Sequence, residues 1–343
     1  MRALQLIGWQ KDAEFRDVAE PEPGPGEVVV RIGAAGACHS DLHLMHDFQE
    51  GMLPWGPPFT LGHENAGWIE ALGAGVRDLE IGTPVAVYGP WGCGQCHRCR
   101  QGNENYCERQ TEIGALGGGL GLDGGMAPFM RVPNARHVLP LGSLSPVEAA
   151  PLTDAGLTPY HAIKRSLPLL GPGSVAIVIG VGGLGHMATQ ILDACTPATV
   201  IAVDRHPGPL RLVDDTALTV LADTDAEAEI RELAHGNGAD VVLDFVGSDE
   251  TLALGAAITR PLGHLTLVGI AGGTLPFSFF SPQYEVSVAS TYWGSLPELM
   301  EVIALAEKGK IRAHVHRFSL DDAPQAYQEM RDGTLRGRAV IVP

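Results

Sequence analysis

One stretch narrows the fold more than any other: SVAIVIGVGGLGHMATQIL, Ser174 to Leu192. It opens as an apolar run of Val, Ala and Ile, turns on glycines and continues as an apolar helix. Gly180-Val-Gly182-Gly183-Leu184-Gly185 reads G-x-G-x-x-G, and Asp204 follows nineteen residues after Gly185, at the end of the next apolar run, TVIAVD. The glycine pattern alone is weak. Between a strand and a helix, with an acidic residue at that distance, it meets the requirements of a dinucleotide-binding βαβ unit. The glycines permit a tight turn and close approach of a pyrophosphate, and the helix N-terminus supplies N–H groups and positive potential. Asp204 can accept hydrogen bonds from the adenosine ribose and would repel a 2′-phosphate, so NAD is expected rather than NADP. From Ser166 to Leu192 there is no charged residue. Pro168, Pro172 and the glycines argue against a membrane span there and for a buried strand and helix.

A second feature is as specific. Four of the six cysteines, Cys93, Cys96, Cys99 and Cys107, fall in GCGQCHRCRQGNENYC with spacing C-x2-C-x2-C-x7-C. They could be disulfide partners or ligands of one metal. The N-terminus, MRALQLIGWQKDAEF, has no apolar signal region. A cytoplasmic location is therefore expected, where clustered thiols read as metal ligands. Four thiolates suit a tetrahedral zinc with no open position, hence a structural site. An iron–sulfur cluster also uses four cysteines at short spacing. His97, inside the loop, is expected to be a solvated bystander.

Length and charge bound the rest. At 343 residues the chain exceeds what one hydrophobic core usually serves, so two domains are expected. The formal net charge is −17 with no basic cluster, which argues against nucleic acid or an anionic membrane as partner. The first 150 or so residues are rich in short β-like runs broken by Gly and Pro, such as EVVVRIGAAGAC, AGWIEALGAGV and TPVAVYG. They predict an irregular, largely antiparallel β domain. From about residue 155 strands alternate with helices: TVIAVD, DAEAEIRELAHG, ADVVLDFVG and GHLTLVGI. That alternation predicts a parallel α/β sheet. A helix over 296–311 and a final strand, GRAVIVP, cannot be placed by periodicity.

Taken together, GACHSDLH, LGHENAG, the cysteine loop, PLTDAGLTPYHA, GVGGLGH and GRAVIVP give the chain a resemblance, over its whole length, to the zinc-dependent medium-chain alcohol dehydrogenases. The match looks closest to bacterial NAD-dependent secondary-alcohol dehydrogenases. The resemblance implies a mixed α/β fold: a GroES-like β-rich catalytic domain over 1–153, a Rossmann NAD-binding domain over 154–288, and a return of 289–343 to the catalytic domain. It implies two zinc ions per chain, the second, catalytic one on Cys38, His63 and Asp154 with Glu64 nearby. Three protein ligands and an open position are what such a site needs. Taken singly, Cys38 could be a buried thiol, His63 a turn residue and Asp154 a helix cap. Ser40 and His43 match the family's proton relay, and His39 a position touching the cofactor phosphates. Arg205, Val268 and Ile270 join the glycine turn and Asp204 as cofactor residues. Trp55, Leu120, Tyr292 and Trp293 match substrate-lining positions, whose apolar bulk suits hydrophobic, secondary alcohols and ketones. The implied activity is reversible hydride transfer between alcohol and NAD, in a homo-oligomer, dimer or tetramer. A primary-alcohol dehydrogenase or aldehyde reductase of the same fold is the alternative, and a non-catalytic NAD-binding protein a remote one.

Overall fold

A computed structural model describes residues 1–343, which divide into two compact units. The first comprises Met1–Leu157, Gly294–Lys308 and Val315–Pro343. Its main sheet has seven strands. Six run in the order Val138–Pro140, Pro84–Val87, Glu64–Leu72, Val28–Ala37, Arg338–Val342, Val315–Ser319, and Phe129–Val132 also pairs with Val28–Ala37. Pairing is antiparallel except between the last two, which are parallel. Val28–Ala37, the run legible in EVVVRIGAAGAC, is buried at every residue but Arg31. Its central place explains why it does not alternate apolar with polar. Leu4, Val30, Ile32, Phe59, Ile69, Val85, Met126 and Ile341 form one apolar core behind it.

The register of this sheet gathers distant residues. Gly36 pairs with Glu64 and Ala37 with Ala339. Cys38, His63, Glu64 and Arg338 therefore meet at one end of three neighbouring strands. Gly36 is required there because a β-carbon on it would lie 1.9 Å from Glu64 Oε2.

The second unit comprises Thr158–Trp293 and Gly309–His314. It holds a six-stranded, wholly parallel sheet in the order Leu218–Leu221, Thr199–Asp204, Val175–Ile179, Ala239–Asp244, Thr259–Leu267, Ser287–Ser290. The order reverses between Val175–Ile179 and Ala239–Asp244, the switch point at which α/β sheets bind ligands. Ile177, Ile201, Val203, Val242, Ile258 and Leu265 form the core. The two strands at the edges were not expected from sequence; both are short and carry exposed residues. The strand expected from residue 263 begins at Thr259, with a register irregularity between Ala239 and Val241 opposite it. The C-terminal helix expected over 296–311 stops at Glu307, before Gly309 with a φ of 66°. No helix is long and apolar enough to cross a membrane.

Candidate functional site

In the first unit, Cys38 is the N-cap of the helix His39–His46, whose first turn carries Ser40 and Asp41 and whose last carries His43. Asp154 ends the turn Ala150–Thr153, and no helix begins at it. Cys38, His63, Glu64 and Asp154 each point one ligand atom into a common space, all within 4.8 Å of one another. Cys38 Sγ lies 3.8 Å, and His63 Nε2 3.6 Å, from Asp154 Oδ2. Tetrahedral zinc with bonds of about 2.0–2.3 Å separates its ligands by about 3.3–3.8 Å, so the donor set fits. The electrostatics agree. Burial alone would lower the His63 pKa, but the charge of Asp41, with Asp154 and Cys38, raises it well above the usual imidazole range. The acidic groups that raise it, Asp41 and Asp154, also favour a cation among these donors.

Glu64 is less free than the other three. Both of its oxygens are held by the Arg338 guanidinium, and Oε1 also accepts the Ala155 N–H at 3.1 Å. Burial pushes its carboxyl up to about 7 while Arg338 pulls it down. Arg338 Nη2 also lies 3.9 Å from Asp154 Oδ2. Ser40 Oγ is 3.5 Å from His63 Nε2. His43 is half-buried, its Nδ1 paired with Asp47, and its ring centroid lies 5.2 Å from that of the exposed His39. Trp55 is buried in the core of this unit beside Phe59 and Trp9, and its indole N–H has no partner. Leu120 packs on the same core, and a β-carbon at the next residue, Gly121, would touch the Trp55 ring.

The four-cysteine loop closes on itself. Cys96 and Cys99 sulfurs are 3.3 Å apart, and Cys93 and Cys99 3.9 Å. Backbone N–H groups of Gln95 and Cys96 point at Cys93 Sγ, that of Cys99 at Cys96 Sγ, and those of Cys93 and Arg109 at Cys107 Sγ. Such donors favour thiolates: the Cys99 N–H leads in lowering the Cys96 thiol to about 6, and those of Gln95 and Cys96 lower Cys93, whereas burial raises Cys99 and Cys107. No disulfide forms among them. His97 is exposed.

In the second unit, Gly180 follows the strand with a φ of 86°, and Val181 N–H donates to Asp204 Oδ2 at 2.8 Å. Asp204 Oδ1 accepts the His206 N–H at 2.8 Å. A β-carbon at Gly182 would meet nothing within 4 Å, which leaves room for a phosphate beside the turn. Gly183 and Leu184 lead into the helix Gly185–Cys195, whose N-terminus brings the positive end of its dipole to that turn. Arg205 is exposed, and Val268 and Ile270 follow the strand Thr259–Leu267, with Val268 N–H bonded to Asp244 O. Tyr292 and Trp293 pack edge to face at 6.2 Å.

Several residues in these sites carried no expectation. Asp41 could have been found, since a carboxylate three residues after an N-cap is a capping pattern, and its Oδ2 accepts the Cys38 N–H at 3.0 Å. Arg338 had no local signal, because the register alone brings it to Glu64. The same holds for Arg136 and His137, which grip Glu104 under the cysteine loop. His186 ties the glycine turn to the 309–314 segment: its Nδ1 bonds Gly182 O at 2.9 Å, and its Nε2 accepts the His314 N–H at 3.2 Å.

Comparison with known proteins bears on these sites. Residues 24–143 match the family described as alcohol dehydrogenase GroES-like domain, and residues 183–308 the family described as zinc-binding dehydrogenase. A D-arabinose 1-dehydrogenase (NADP(+)) of Saccharolobus solfataricus is 35% identical over 100% of this chain and 97% of its own. An NAD-dependent alcohol dehydrogenase of Sulfurisphaera tokodaii is 34% identical over the full length of both. Among solved structures, the alcohol dehydrogenase of Aeropyrum pernix superposes with a TM-score of 0.93 at 39% identity, covering 100% of both chains.

Proposed function

Because the chain belongs to the zinc-dependent medium-chain alcohol dehydrogenases, its activity is hydride transfer between an alcohol and NAD, and we propose that its substrates are hydrophobic secondary alcohols and the corresponding ketones. The single observation that carries the active-site reading is the convergence of Cys38, His63 and Asp154 with ligand spacing.

In this reading Cys38, His63 and Asp154 hold the catalytic zinc, and Cys93, Cys96, Cys99 and Cys107 a structural one. The catalytic ion supplies Lewis acidity that favours ionisation of the alcohol, and NAD is the hydride acceptor. The remaining work falls to side chains. Ser40, beside His63, takes the hydroxyl proton, and His43, steered by Asp47, passes it to solvent. Arg338 fixes Glu64 and neutralises charge behind the ligands. The glycine turn with Gly183 and Leu184 takes the pyrophosphate, His39 and Arg205 border the phosphates and ribose, and Asp204 takes the adenosine ribose hydroxyls. Val268 and Ile270 support the nicotinamide. Trp55, Leu120, Tyr292 and Trp293 supply the apolar surface for the substrate. Residues 154–288 act as the NAD-binding domain and 1–153 with 289–343 as the catalytic one; the compact units change over close by, after Leu157 and Trp293.

We further propose a cytoplasmic homo-oligomer. Support for association comes from an exposed aromatic group, Phe277, Phe279, Phe280 and Tyr284, close in sequence to the edge strand Ser287–Ser290. Exposed patches and edges of this kind mark association surfaces.

The relative that acts on D-arabinose favours a second substrate reading, a sugar or polyol. A panel of primary alcohols, secondary alcohols and D-arabinose, followed by NADH absorbance, decides. The proposal expects the highest kcat/KM with a secondary alcohol of medium chain length. Equal or better turnover of D-arabinose or of primary alcohols would overturn it.

A further inference from the structure

Behind the proposed zinc ligands lies a buried carboxylate with three partners. Asp41 is fully buried. Its Oδ2 accepts the Cys38 N–H at 3.0 Å and the Tyr327 hydroxyl at 2.8 Å, and its Oδ1 lies 3.2 Å from His63 Nδ1. Tyr327 is 4% exposed and comes from the helix Ala323–Arg331, far along the chain. Its hydroxyl also lies 3.2 Å from Met126 Sδ, and its ring packs in the core of the first unit. A phenol whose only need was burial could be a phenylalanine. Here the hydroxyl is spent on a carboxylate that is not itself a proposed ligand yet reaches two residues that are, Cys38 and His63.

We propose that Tyr327 is a positioning residue for the catalytic zinc, acting through Asp41 on His63. This rests on the ligand set proposed above. A carboxylate on a broad two-fold torsion needs its outer oxygen fixed if its inner one is to stay in place. Tyr327 and the Cys38 N–H fix Oδ2. Oδ1 is then turned toward His63 Nδ1, and the imidazole presents Nε2 to Cys38 and Asp154. A histidine ligand usually gives its second nitrogen to such a partner, and losing that partner typically costs about 10–100-fold in metal affinity or activity. Tyr327 stands one bond further out, so the lower end, about 10-fold, is expected.

The test follows zinc as well as turnover. Purified holoenzyme is mixed with excess chromophoric chelator, and the two zinc ions are followed as separate release phases. Asp154→Ala identifies the phase of the catalytic ion, because that phase should be missing from it. If Asp154→Ala still released two zinc ions in the wild-type phases, the ligand set itself would be wrong. With the set upheld, Tyr327→Phe should speed the catalytic-site phase about 10-fold and leave the four-cysteine phase unchanged. It should lower kcat with little change in KM for NAD. Asp41→Asn should speed the same phase, and the double variant should add little, because both act along one route. Unchanged release in Tyr327→Phe, or equal acceleration of both phases, would overturn the proposal and leave Tyr327 as a packing residue.

Discussion

Asp204, proposed to take the adenosine ribose, also holds its own loop together. Its oxygens already hold Val181 and His206 N–H groups, so it sets the glycine turn before any ribose arrives. Asp204→Ala should therefore weaken NAD use by about 10–100-fold, as loss of charged hydrogen bonds of about 1.5–3 kcal/mol implies, and raise the relative use of NADP. Kinetics with both cofactors check this, and a wild type that prefers NADP would refute the role. The proposed relay has its own signature. His43, three residues beyond Ser40, is held by Asp47. His43→Leu should slow oxidation most near neutral pH and recover at high pH, where hydroxide takes the proton, whereas Ser40→Ala should cost more, within the ~10²–10⁴-fold usual for general base catalysis. A His43→Leu pH–rate profile that overlays the wild type would remove His43 from the relay.

At the scale of elements, the cysteine loop is a small structure of its own, fastened from beneath. Glu104 accepts from Gly92 N–H at 2.8 Å, from Arg136 Nε at 2.9 Å and pairs with His137 Nε2 at 2.9 Å. Trp91 stacks on that imidazole. Burial opposes ionisation of Glu104, yet His137 and Arg136 together hold its carboxyl down at about 2. A folded pKa below the unfolded value of about 4.3 stabilises above that value and is lost as pH falls toward 2. Glu104→Gln should cost roughly 2 kcal/mol at neutral pH. The gap from wild type should close between about pH 4.5 and 2, as denaturant unfolding across that range would show; a constant gap would exclude the ionised Glu104 carboxylate as its source. Cys96→Ser should release one zinc and lower the melting temperature, because structural zinc contributes folding energy. Asp154→Ala should keep its melting temperature nearly intact and lose activity. Elemental analysis with calorimetry on both separates the sites, and a fully stable Cys96→Ser would deny the loop a structural role.

For the whole molecule, the exposed rings before the last edge strand of the second unit bear on association. Phe279 and Phe280 are 76% and 82% exposed and lie against each other, and Phe279 against Tyr284. A single chain gains nothing from keeping such rings in water. Replacing Phe279 and Phe280 together by Ser should reduce the mass measured by light scattering toward that of one chain, 36.2 kDa. An unchanged mass would place the interface elsewhere, and a wild type already at that mass would refute the oligomer.

Local pattern was enough to read the elements whose signal is local. The run Val175–Ile179, the glycine turn, the helix after it and Asp204 were all legible, because their signal sits within a few turns of chain. So were the four cysteines, whose spacing is itself the geometry of the loop. For Cys38, His63 and Asp154 the residues alone left bland alternatives, and only the joint order of motifs singled them out. What sequence could not encode was the company these residues keep. Arg338 meets Glu64 because the register of Val28–Ala37 with Glu64–Leu72 and Arg338–Val342 brings the end of the chain to its beginning, and Tyr327 meets Asp41 because the helix Ala323–Arg331 packs near the helix His39–His46. The edge strands Leu218–Leu221 and Ser287–Ser290 were missed for the same reason: each is short, and its pairing exists only once a neighbouring strand is in place. Tertiary structure decides such contacts because burying a charge or a hydroxyl is favourable only beside a partner, and the partner's place is set by the sheet, not by its distance along the chain.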